Sequence, residues 1–549
     1  GFTGSAGFAI ATRERCAIFV DGRYTLQVRE QVDPDAFTPE SLMENPPSKW
    51  LSENTTKDDV IGFDPWLITA KQIKAYEEAS AKTGAELKSV DNLIDRIWQD
   101  QPAPPLGKVF VHPVAKAGVE VDQKIEDIKS TISNLNCDLA ILTDPASLAW
   151  LFNIRGQDVV HNPVPLGFAI VLAAGNPILF IDERKLDDPT KKYLQSYATL
   201  LGPEQLIPEL KRLCPEKSVL CDLGQLPVML HDAVTAAKGS IVDGRDPVIL
   251  PRSIKNRVEL EGTRTAHIRD GVAMCKFLYW LNQQKPETVT EISAAKMLEQ
   301  IRTENAKTMG SELREIAFDT ISGHGPNGAI VHYRVTEESN RTFTDDSLFL
   351  CDSGGQYPDG TTDITRTVAI GTPPEKAIED FTLVLKGHIA IATARFPEGT
   401  RGVDIDVLAR IALWEHGKDF AHGTGHGVGS YLNVHEGPQS ISKRGMEGFK
   451  AGMIISNEPG FYIEGEYGIR IENLVVVSEA EENLDGNIKT HTFETITLAP
   501  IDTRLVRGSN LSEKERDWLN AYHKTVCDTL GEYLNKPEKA WLEKVTKPI

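Results

Sequence analysis

Residues 422–429 read His-Gly-Thr-Gly-His-Gly-Val-Gly, and this stretch decides how the rest of the chain is interpreted. Glycine at every second position disfavours a helix but permits an extended backbone that other groups approach closely. We therefore predict that His422, Thr424 and His426 share one side of an extended segment. A zinc-protease helix would need a glutamate after the first histidine, and a dinucleotide fingerprint would need a third glycine, so both interpretations are excluded.

Two more histidines are candidates for the same site. His435 follows closely, so that three histidines fall within fourteen residues, and His332 lies in Gly325–Tyr333, which we predict to be a strand region. A single buried histidine is usually a hydrogen-bonded core residue. The clustering of several favours a functional site.

A hairpin precedes this stretch and carries two acidic residues. The apolar run Ser347–Cys351 predicts a strand that leads into Asp352, and after the turn Pro358–Gly360 the chain returns through Asp363. Because side chains alternate along a strand, Asp352 and Asp363, 11 residues apart, can face the same side of the sheet. The alternative is that they cap a turn, which suits Asp359 better.

Two glutamates follow the histidines. Met453–Ser456 predicts a strand that leads to Glu458, and Gly468–Asn473 predicts a second strand in which Arg470 and Glu472 share one face. A buried carboxylate without compensation is costly. Taken alone, Glu472 would be expected to pair with Arg470 across the sheet face.

The amino-terminal half contains a repeat. Gly7–Ile10 leads to Asp21-Gly-Arg23, and Gly167–Ile170 leads to Asp182-Glu-Arg184, so both copies predict a strand, a turn and a strand. A duplicated α/β domain over residues 1–104 and 105–246 explains this, and chance similarity of apolar hairpins is the alternative. The first copy has six residues before its motif and the second has 62, which predicts that roughly fifty residues of the first domain are missing before Gly1.

Residues 247–549 have a different pattern. Helical spacing of apolar residues, followed by glycine-rich alternating runs and further helical stretches, predicts an α+β domain with a largely antiparallel sheet. The predicted helices cover residues 255–283, 290–305, 375–395 and 403–417.

Composition excludes several classes of protein. The net charge of −20, with no lysine and arginine block, argues against a nucleic-acid or anionic membrane partner. The longest uncharged stretch, Val164–Ile181, contains a proline and a turn triplet and predicts two strands rather than a transmembrane helix. Seven scattered cysteines without a C-x-x-C pair indicate neither disulfides nor a zinc knuckle, and favour the reducing cytosol.

The acidic residues and histidines also resemble a known family. Their order, with D-G-T-T-D-x-T-R-T, H-G-T-G-H-G-V-G, N-E-P-G and G-I-R-I-E-N around them, is similar to the pita-bread metallopeptidases, which include methionine aminopeptidase, prolidase and aminopeptidase P. Similarity to cytosolic aminopeptidase P extends from G-F-T-G-S-A-G at Gly1, through L-A-W-L-F-N-I-R-G at Leu148, to W-L-N-A-Y-H at Trp518. The resemblance implies two tandem creatinase-like α/β domains followed by a pita-bread α+β catalytic domain with a carboxyl-terminal extension.

The resemblance also implies a site. Asp352 would bind one divalent ion, His426 and Glu458 the other, and Asp363 and Glu472 would bridge both. Two ions about 3.5 to 4 Å apart can activate a bridging hydroxide. Ligand type alone does not choose among manganese, cobalt and iron, and the family implies manganese. His332, His422 and His435 would surround and bind the substrate, and Glu458 would also move a proton, so these four would be catalytic residues.

The implied reaction is removal of an amino-terminal residue from peptides with a penultimate proline, by a cytoplasmic enzyme that the family expects to be a homodimer. A prolidase, which cuts only Xaa-Pro dipeptides, would use the same chemistry, and the duplicated amino-terminal half favours the aminopeptidase. A pita-bread protein that has lost its ligands and only binds partners is the third alternative, against which all five ligand residues are present. The sequence does not give the residue accepted before proline or the physiological peptides.

Overall fold

The structure is a computed structural model, and it describes residues 1–482 and 486–549. The chain divides into two compact units. The first contains Gly1–Asp21 and Val28–Arg252, and the second contains Gly22–Gln27 and Ser253–Ile549. The short segment Gly22–Gln27 therefore groups with the carboxyl-terminal half of the chain although it is flanked on both sides by the first unit.

The first unit is built from alternating strands and helices. Its strands are Phe8–Ala11, Cys16–Val20, Phe37–Ser41, Val60–Phe63, Glu86–Ser89, Val109–Val111, Leu139–Leu142, Ile154–Gly156, Phe168–Leu172, Ile178–Phe180, Thr199–Leu201, Ser218–Cys221 and Ser240–Asp243. Its helices are Pro47–Asn54, Ala70–Thr83, Leu93–Ile97, Val114–Ala117, Val121–Asn134, Pro145–Leu151, Asp188–Gln195, Leu206–Leu213 and Val228–Ala236, while Thr25–Gln31 and Ile249–Ser253 cross the unit boundaries.

The repeat seen in the sequence is a repeat of structure. In the first copy Phe8 lies opposite Phe19 in an antiparallel hairpin, and in the second copy Phe168 lies opposite Phe180 in the same way. Each hairpin adds a parallel third strand on its far edge. In the second copy the strand Leu139–Leu142 joins this hairpin to two further parallel strands, giving one mixed six-stranded sheet, so the predicted α/β architecture is confirmed.

The second unit combines long helices with antiparallel strands. Its helices are Arg257–Gln283, Glu291–Thr308, Glu375–Ala392, Gly402–Ile405, Ile411–Trp414, Glu513–Leu530 and Lys536–Val545. Its strands are Glu315–Ile316, Ile321–His324, Ser347–Ser353, Gly355–Tyr357, Gly360–Thr361, Ile364–Ile370, Phe396–Pro397, Gly425–Gly427, Glu436–Ile441, Ile454–Asn457, Gly460–Ile463, Tyr467–Arg470, Asn473–Val477, Glu481–Glu482, Lys489–His491 and Phe493–Thr495.

The long helix Arg257–Gln283 begins where the sequence places a capping residue. The Asn256 side chain accepts hydrogen bonds from the first helical turn, and Glu259 bonds back to the Asn256 backbone. Further along, Phe277 packs in the same apolar core as Phe349 of strand Ser347–Ser353, which fixes this helix against the sheet that contains that strand. The α+β prediction for the carboxyl-terminal domain is confirmed, because the paired strands of this unit's main sheets run antiparallel.

Two local predictions are wrong. Residues Gly325–Ala329 form a 3-10 helix rather than a strand, and the strand lies before them at Ile321–His324. The helix predicted over 403–417 is broken into short pieces, because the Arg410 side chain binds the chain that follows, through the carbonyl oxygens of Phe420 and His422.

The apolar stretch between Val164 and Ile181 forms the strands Phe168–Leu172 and Ile178–Phe180, as predicted. Within the described ranges, no helix combines the length and the apolar character needed to cross a bilayer.

Candidate metal centre

The predicted hairpin is present and brings two carboxylates together. Strand Ser347–Ser353 pairs antiparallel with Ile364–Ile370, and Asp352 lies opposite Thr365. Asp363 stands immediately before the second strand, and both aspartates are buried. The hairpin thus places its two carboxylates at the same end of the sheet.

The other three predicted residues come from a neighbouring sheet. His426 lies in the extended segment Gly425–Gly427, which pairs with strands on both sides. Glu458 directly follows Ile454–Asn457, and Glu472 lies between two strands. The backbone N–H of Glu472 donates to the Thr365 carbonyl oxygen at 3.2 Å, which links this sheet to the hairpin.

Four of the five side chains meet in one place, and Asp352 lies beside them. The His426 Nε2 atom lies 3.6 Å from Asp363 Oδ2 and 3.4 Å from Glu458 Oε1. One ligand atom each from Asp363, His426 and Glu472 lies within 4.8 Å of the others. The remaining residue, Asp352, is close enough for its charge to raise the pKa of Asp363, of Glu458 and of Glu472.

Without a cation, this cluster is electrostatically unfavourable. Burial, the Glu472 charge and then the other carboxylates raise the pKa of Asp363 well above its usual range. Burial, followed by repulsion from Glu458 and Asp352, does the same to the pKa of Glu472. Burial also raises the pKa of Glu458 to about 8, although the Arg470 charge opposes this shift. Carboxylates so placed either take up protons or gain a counter-charge.

The donor set fits divalent cations. Asp352 Oδ1, Asp363 Oδ1 and Glu472 Oε1 are buried, and no residue in the described part of the chain gives them a hydrogen bond. Buried oxygens without a partner are uncommon, and a metal ion is one explanation. The His426 Nδ1–H donates to the Gly427 carbonyl oxygen at 2.9 Å, so the Nε2 lone pair of the neutral ring points toward the carboxylates.

Arg470 is the main cation beside the cluster. Its Nη2 donates to Asp352 Oδ2 at 2.7 Å, and its Nη1 donates to the Tyr462 hydroxyl at 2.7 Å. Glu472 instead accepts a hydrogen bond from the Thr365 hydroxyl at 2.7 Å. The pairing of Arg470 with Glu472 that the strand pattern suggests on its own is therefore wrong: the strand ends at Arg470, so its alternation does not continue to Glu472, and the guanidinium binds Asp352.

The three other histidines line the same region as neutral rings. His422 Nδ1 donates to the Gly423 carbonyl oxygen at 2.8 Å, which leaves Nε2 to accept from the Tyr462 hydroxyl at 2.8 Å. The ring of His435 lies edge-on to His426, with centroids 4.2 Å apart, and is parallel to His332 at 6.5 Å. Burial lowers the pKa of His422 to about 3 and that of His332 well below the usual value. The adjacent His426 and burial lower the pKa of His435 in the same way.

Sequence reasoning missed several contributing residues. Arg366, from the D-x-T-R-T motif, is buried and donates to the Glu472 carbonyl oxygen and to Asn473, so it ties the two sheets together. Tyr462 follows Glu458 by four residues, but nothing in the local sequence predicts that its hydroxyl binds a histidine. Tyr24, whose hydroxyl lies 2.8 Å from His332 Nδ1, is 308 residues away in sequence, and no local pattern could have found it.

Comparison with protein families covers most of the chain. Residues 261–479 match the model of metallopeptidase family M24, and residues 489–549 match the C-terminal region of that peptidase. Residues 1–97 and 100–259 match two models of the creatinase/prolidase N-terminal domain.

Similar proteins extend over the full length. A probable Xaa-Pro aminopeptidase P of Coccidioides posadasii (strain RMSCC 757 / Silveira) is 39% identical over 569 residues, covering 100% of this chain and 92% of the relative. A probable Xaa-Pro aminopeptidase P of Paracoccidioides brasiliensis (strain Pb03) is 38% identical over 573 residues, with 100% and 92% coverage.

Solved structures agree. The X-prolyl aminopeptidase of Caenorhabditis elegans, described as a cytosolic enzyme with a di-nuclear active site, superposes with a TM-score of 0.93 at 33% identity, covering 100% of this chain and 91% of that one. The prolidase of Pyrococcus horikoshii, at 22% identity and a TM-score of 0.54, covers 69% of this chain and 99% of that one and shows the shared fold alone.

The antiparallel catalytic unit, with creatinase-type domains before it, defines a pita-bread metallopeptidase. Within that class, the chain belongs to the Xaa-Pro aminopeptidase P family.

Proposed function

We propose that this protein is a dinuclear metal-dependent aminopeptidase that releases the amino-terminal residue from peptides whose second residue is proline. One observation carries the proposal. Asp363, His426 and Glu472 each place one ligand atom within 4.8 Å of the others, and one carboxylate oxygen on each of Asp352, Asp363 and Glu472 is buried and receives no hydrogen bond from the described residues. The names of the full-length relatives supply the substrate class.

Five residues would hold the two ions. In this proposal Asp352 would hold one ion, His426 and Glu458 would hold the other, and Asp363 and Glu472 would be shared between them. Two dications would balance four carboxylates, which removes the repulsion within the cluster. When bound, such ions supply Lewis-acid polarisation of a peptide carbonyl and lower the pKa of a bound water.

The protein's own groups would handle orientation and protons. Because Glu458 lies at the edge of the cluster and is the least buried of its carboxylates, it is suited to accept a proton from the attacking water and pass it to the leaving amine. His332 and His435 are neutral and can donate hydrogen bonds to the oxyanion that develops on the attacked peptide, whereas His422, whose Nδ1–H already donates to the Gly423 carbonyl oxygen, would hold the Tyr462 hydroxyl beside the substrate. In this role they are substrate-binding and catalytic residues.

The preference for proline would follow because the site does not require an amide hydrogen on the scissile bond. An Xaa-Pro bond has no amide hydrogen and leaves as a secondary amine. A site that recognises the pyrrolidine ring, rather than an N–H donor, therefore selects it.

The decisive experiment compares a tripeptide Xaa-Pro-Xaa with the Xaa-Pro dipeptide after chelation and stepwise addition of Mn²⁺. We expect tripeptide turnover that rises with the metal and saturates near two ions per chain. Exclusive dipeptide cleavage would mean a prolidase instead. Metal binding without cleavage of either substrate would mean a binding module.

The proposal also includes the native metal, the cellular location, the oligomeric state and the domain bounds. Manganese is the native metal, the enzyme is a cytoplasmic homodimer, and its catalytic domain spans residues 247–549 after amino-terminal domains at 1–104 and 105–246. An oxygen-rich ligand set with one imidazole supports manganese, as it does other divalent ions. Metal analysis of native protein tests the metal, and analytical ultracentrifugation tests the homodimer.

A further inference from the structure

The segment Gly22–Gln27 is built to fit the catalytic unit. A side chain at Gly22 would place its Cβ 2.7 Å from the Ala421 carbonyl oxygen, so only glycine permits this close approach. Leu26 packs in an apolar cluster that includes Ile330 and Tyr333, on either side of His332. The first contact anchors this segment beside Ala421, next to His422, and the second anchors it beside the loop that carries His332.

Between these anchors, Tyr24 meets the His332 ring. Tyr24 is buried, with 1% of its surface exposed, and its hydroxyl lies 2.8 Å from His332 Nδ1. The two rings are edge-on, with centroids 5.3 Å apart and an interplanar angle of 82°. Within the described residues this is the one hydrogen bond to the His332 ring, so Nε2 is left for a ligand.

The backbone of His332 is held by a separate network. The Tyr333 hydroxyl donates to Glu291 at 2.9 Å, and the Asn327 side chain donates to the same carboxylate at 3.0 Å. Because this network fixes the main chain on one side of His332, the contact of the Tyr24 hydroxyl acts on the ring itself and on which ring nitrogen carries the proton.

We propose that Tyr24 is a positioning residue: its hydroxyl donates to His332 Nδ1 and thereby keeps the ring proton on Nε2, where it can be donated to the substrate. This inference rests on the proposed function, since it assumes that His332 acts on a bound peptide. A neutral histidine carries its proton on one nitrogen only, and a hydrogen bond to the other nitrogen selects the tautomer. If Nδ1 held the proton, Nε2 could only accept, and the ring could not stabilise an oxyanion.

The first test needs no variant. In protein labelled with ¹⁵N-histidine, the His332 resonances, assigned by their loss in His332→Gln, report which nitrogen carries the proton. We expect a protonated Nε2 and a bare Nδ1. A protonated Nδ1 in the wild type overturns the proposal, whatever the enzyme's activity.

The second test is kinetic. Tyr24→Phe keeps the ring and removes the hydroxyl, and we expect kcat for an Xaa-Pro tripeptide to fall about tenfold while KM and the metal content stay near wild type. Tyr193→Phe is the matched control, because it likewise removes a hydrogen-bonded tyrosine hydroxyl, in this case one that donates to the Phe152 carbonyl oxygen, and we expect unchanged kinetics. Unchanged kcat in Tyr24→Phe overturns the proposal.

A double variant separates positioning from general damage. If Tyr24 acts through His332, adding Tyr24→Phe to His332→Ala costs no further activity. A further tenfold loss in that background overturns the proposal. The proposed function fails separately: wild-type protein loaded with Mn²⁺ would then cleave no Xaa-Pro peptide, whereas failure of this inference leaves wild-type turnover intact.

Discussion

The Arg470 guanidinium donates a hydrogen bond to Asp352 over 2.7 Å, and both side chains are buried beside the acidic cluster. The same guanidinium reaches Tyr462, whose hydroxyl is the partner of His422. One side chain therefore connects a proposed metal ligand with a proposed substrate-binding histidine. The planar guanidinium presents its donors in a fixed fork that reaches both groups at once, whereas the ammonium of lysine is a compact point charge.

Replacing Arg470 by lysine should accordingly be costly. Arg470→Lys keeps the charge but loses one of the two contacts, and we expect kcat/KM for an Xaa-Pro tripeptide to fall at least about tenfold. Arg264→Lys is the control, because Arg264 makes a two-pronged ion pair with Glu494 at the surface and neither residue belongs to the proposed site. We expect this variant to keep wild-type turnover. Equal activity in Arg470→Lys and the wild type would contradict this prediction.

The bridging carboxylates should be needed for metal as well as for rate. Asp363→Asn and Glu472→Gln each remove one negative charge that the two ions require, so we expect metal content and tripeptide turnover to fall together. Elemental analysis alongside kinetics measures both quantities. Glu379→Gln, on an exposed helix position, is the matched control and should retain both ions. Two ions with full turnover in Asp363→Asn or Glu472→Gln would show that the ligands are assigned wrongly.

His435 should behave differently from His426, although their rings are in contact. We expect His435→Ala to retain both ions and lose rate by about 100-fold or more, since only a hydrogen-bond donor to the substrate is removed. His426→Ala should instead lose metal. Metal loss in His435→Ala would show that the wrong histidine has been named as the ligand.

The metal-free enzyme should lose stability as the pH rises. The pKa of Glu458 is raised from 4.5 to about 8, so its stabilising contribution is fully present below 4.5 and is lost as the pH passes through about 8. In chelator, we expect the Tm of the wild type to fall relative to that of Glu458→Gln between about pH 5 and about pH 8, because the amide cannot ionise. Differential scanning calorimetry measures this difference, and adding Mn²⁺ should abolish it. A wild type that gains stability relative to the variant across this range would refute the assignment.

Local patterns predicted much of the catalytic unit. The alternation in the Asp352 hairpin is a property of a short segment, and the structure confirms it. Of the glycine-spaced stretch only Gly425–Gly427, which carries His426, is a strand, whereas His422 and Thr424 lie before it. The capped helix Arg257–Gln283 was likewise predictable, since its apolar residues repeat with a helical period.

Other features depend on contacts between distant parts of the chain. Whether Arg470 pairs with Glu472 or Asp352 depends on how two sheets pack together, and the sequence of a single strand does not predict this. The predicted helix over 403–417 is broken because Arg410 bonds with the chain that follows, at Phe420 and His422. The ligand set was recovered from family resemblance rather than from spacing, and its assignment stays a prediction.

The membership of Gly22–Gln27 in the second unit affects how the enzyme can be divided. An expression fragment cut at the apparent boundary near residue 253 would carry every proposed ligand and still lack six residues of its own folding unit, Tyr24 among them. Such a fragment would be expected to bind metal and turn over poorly, and supplying the missing amino-terminal half as a separate polypeptide would be the rational way to restore it.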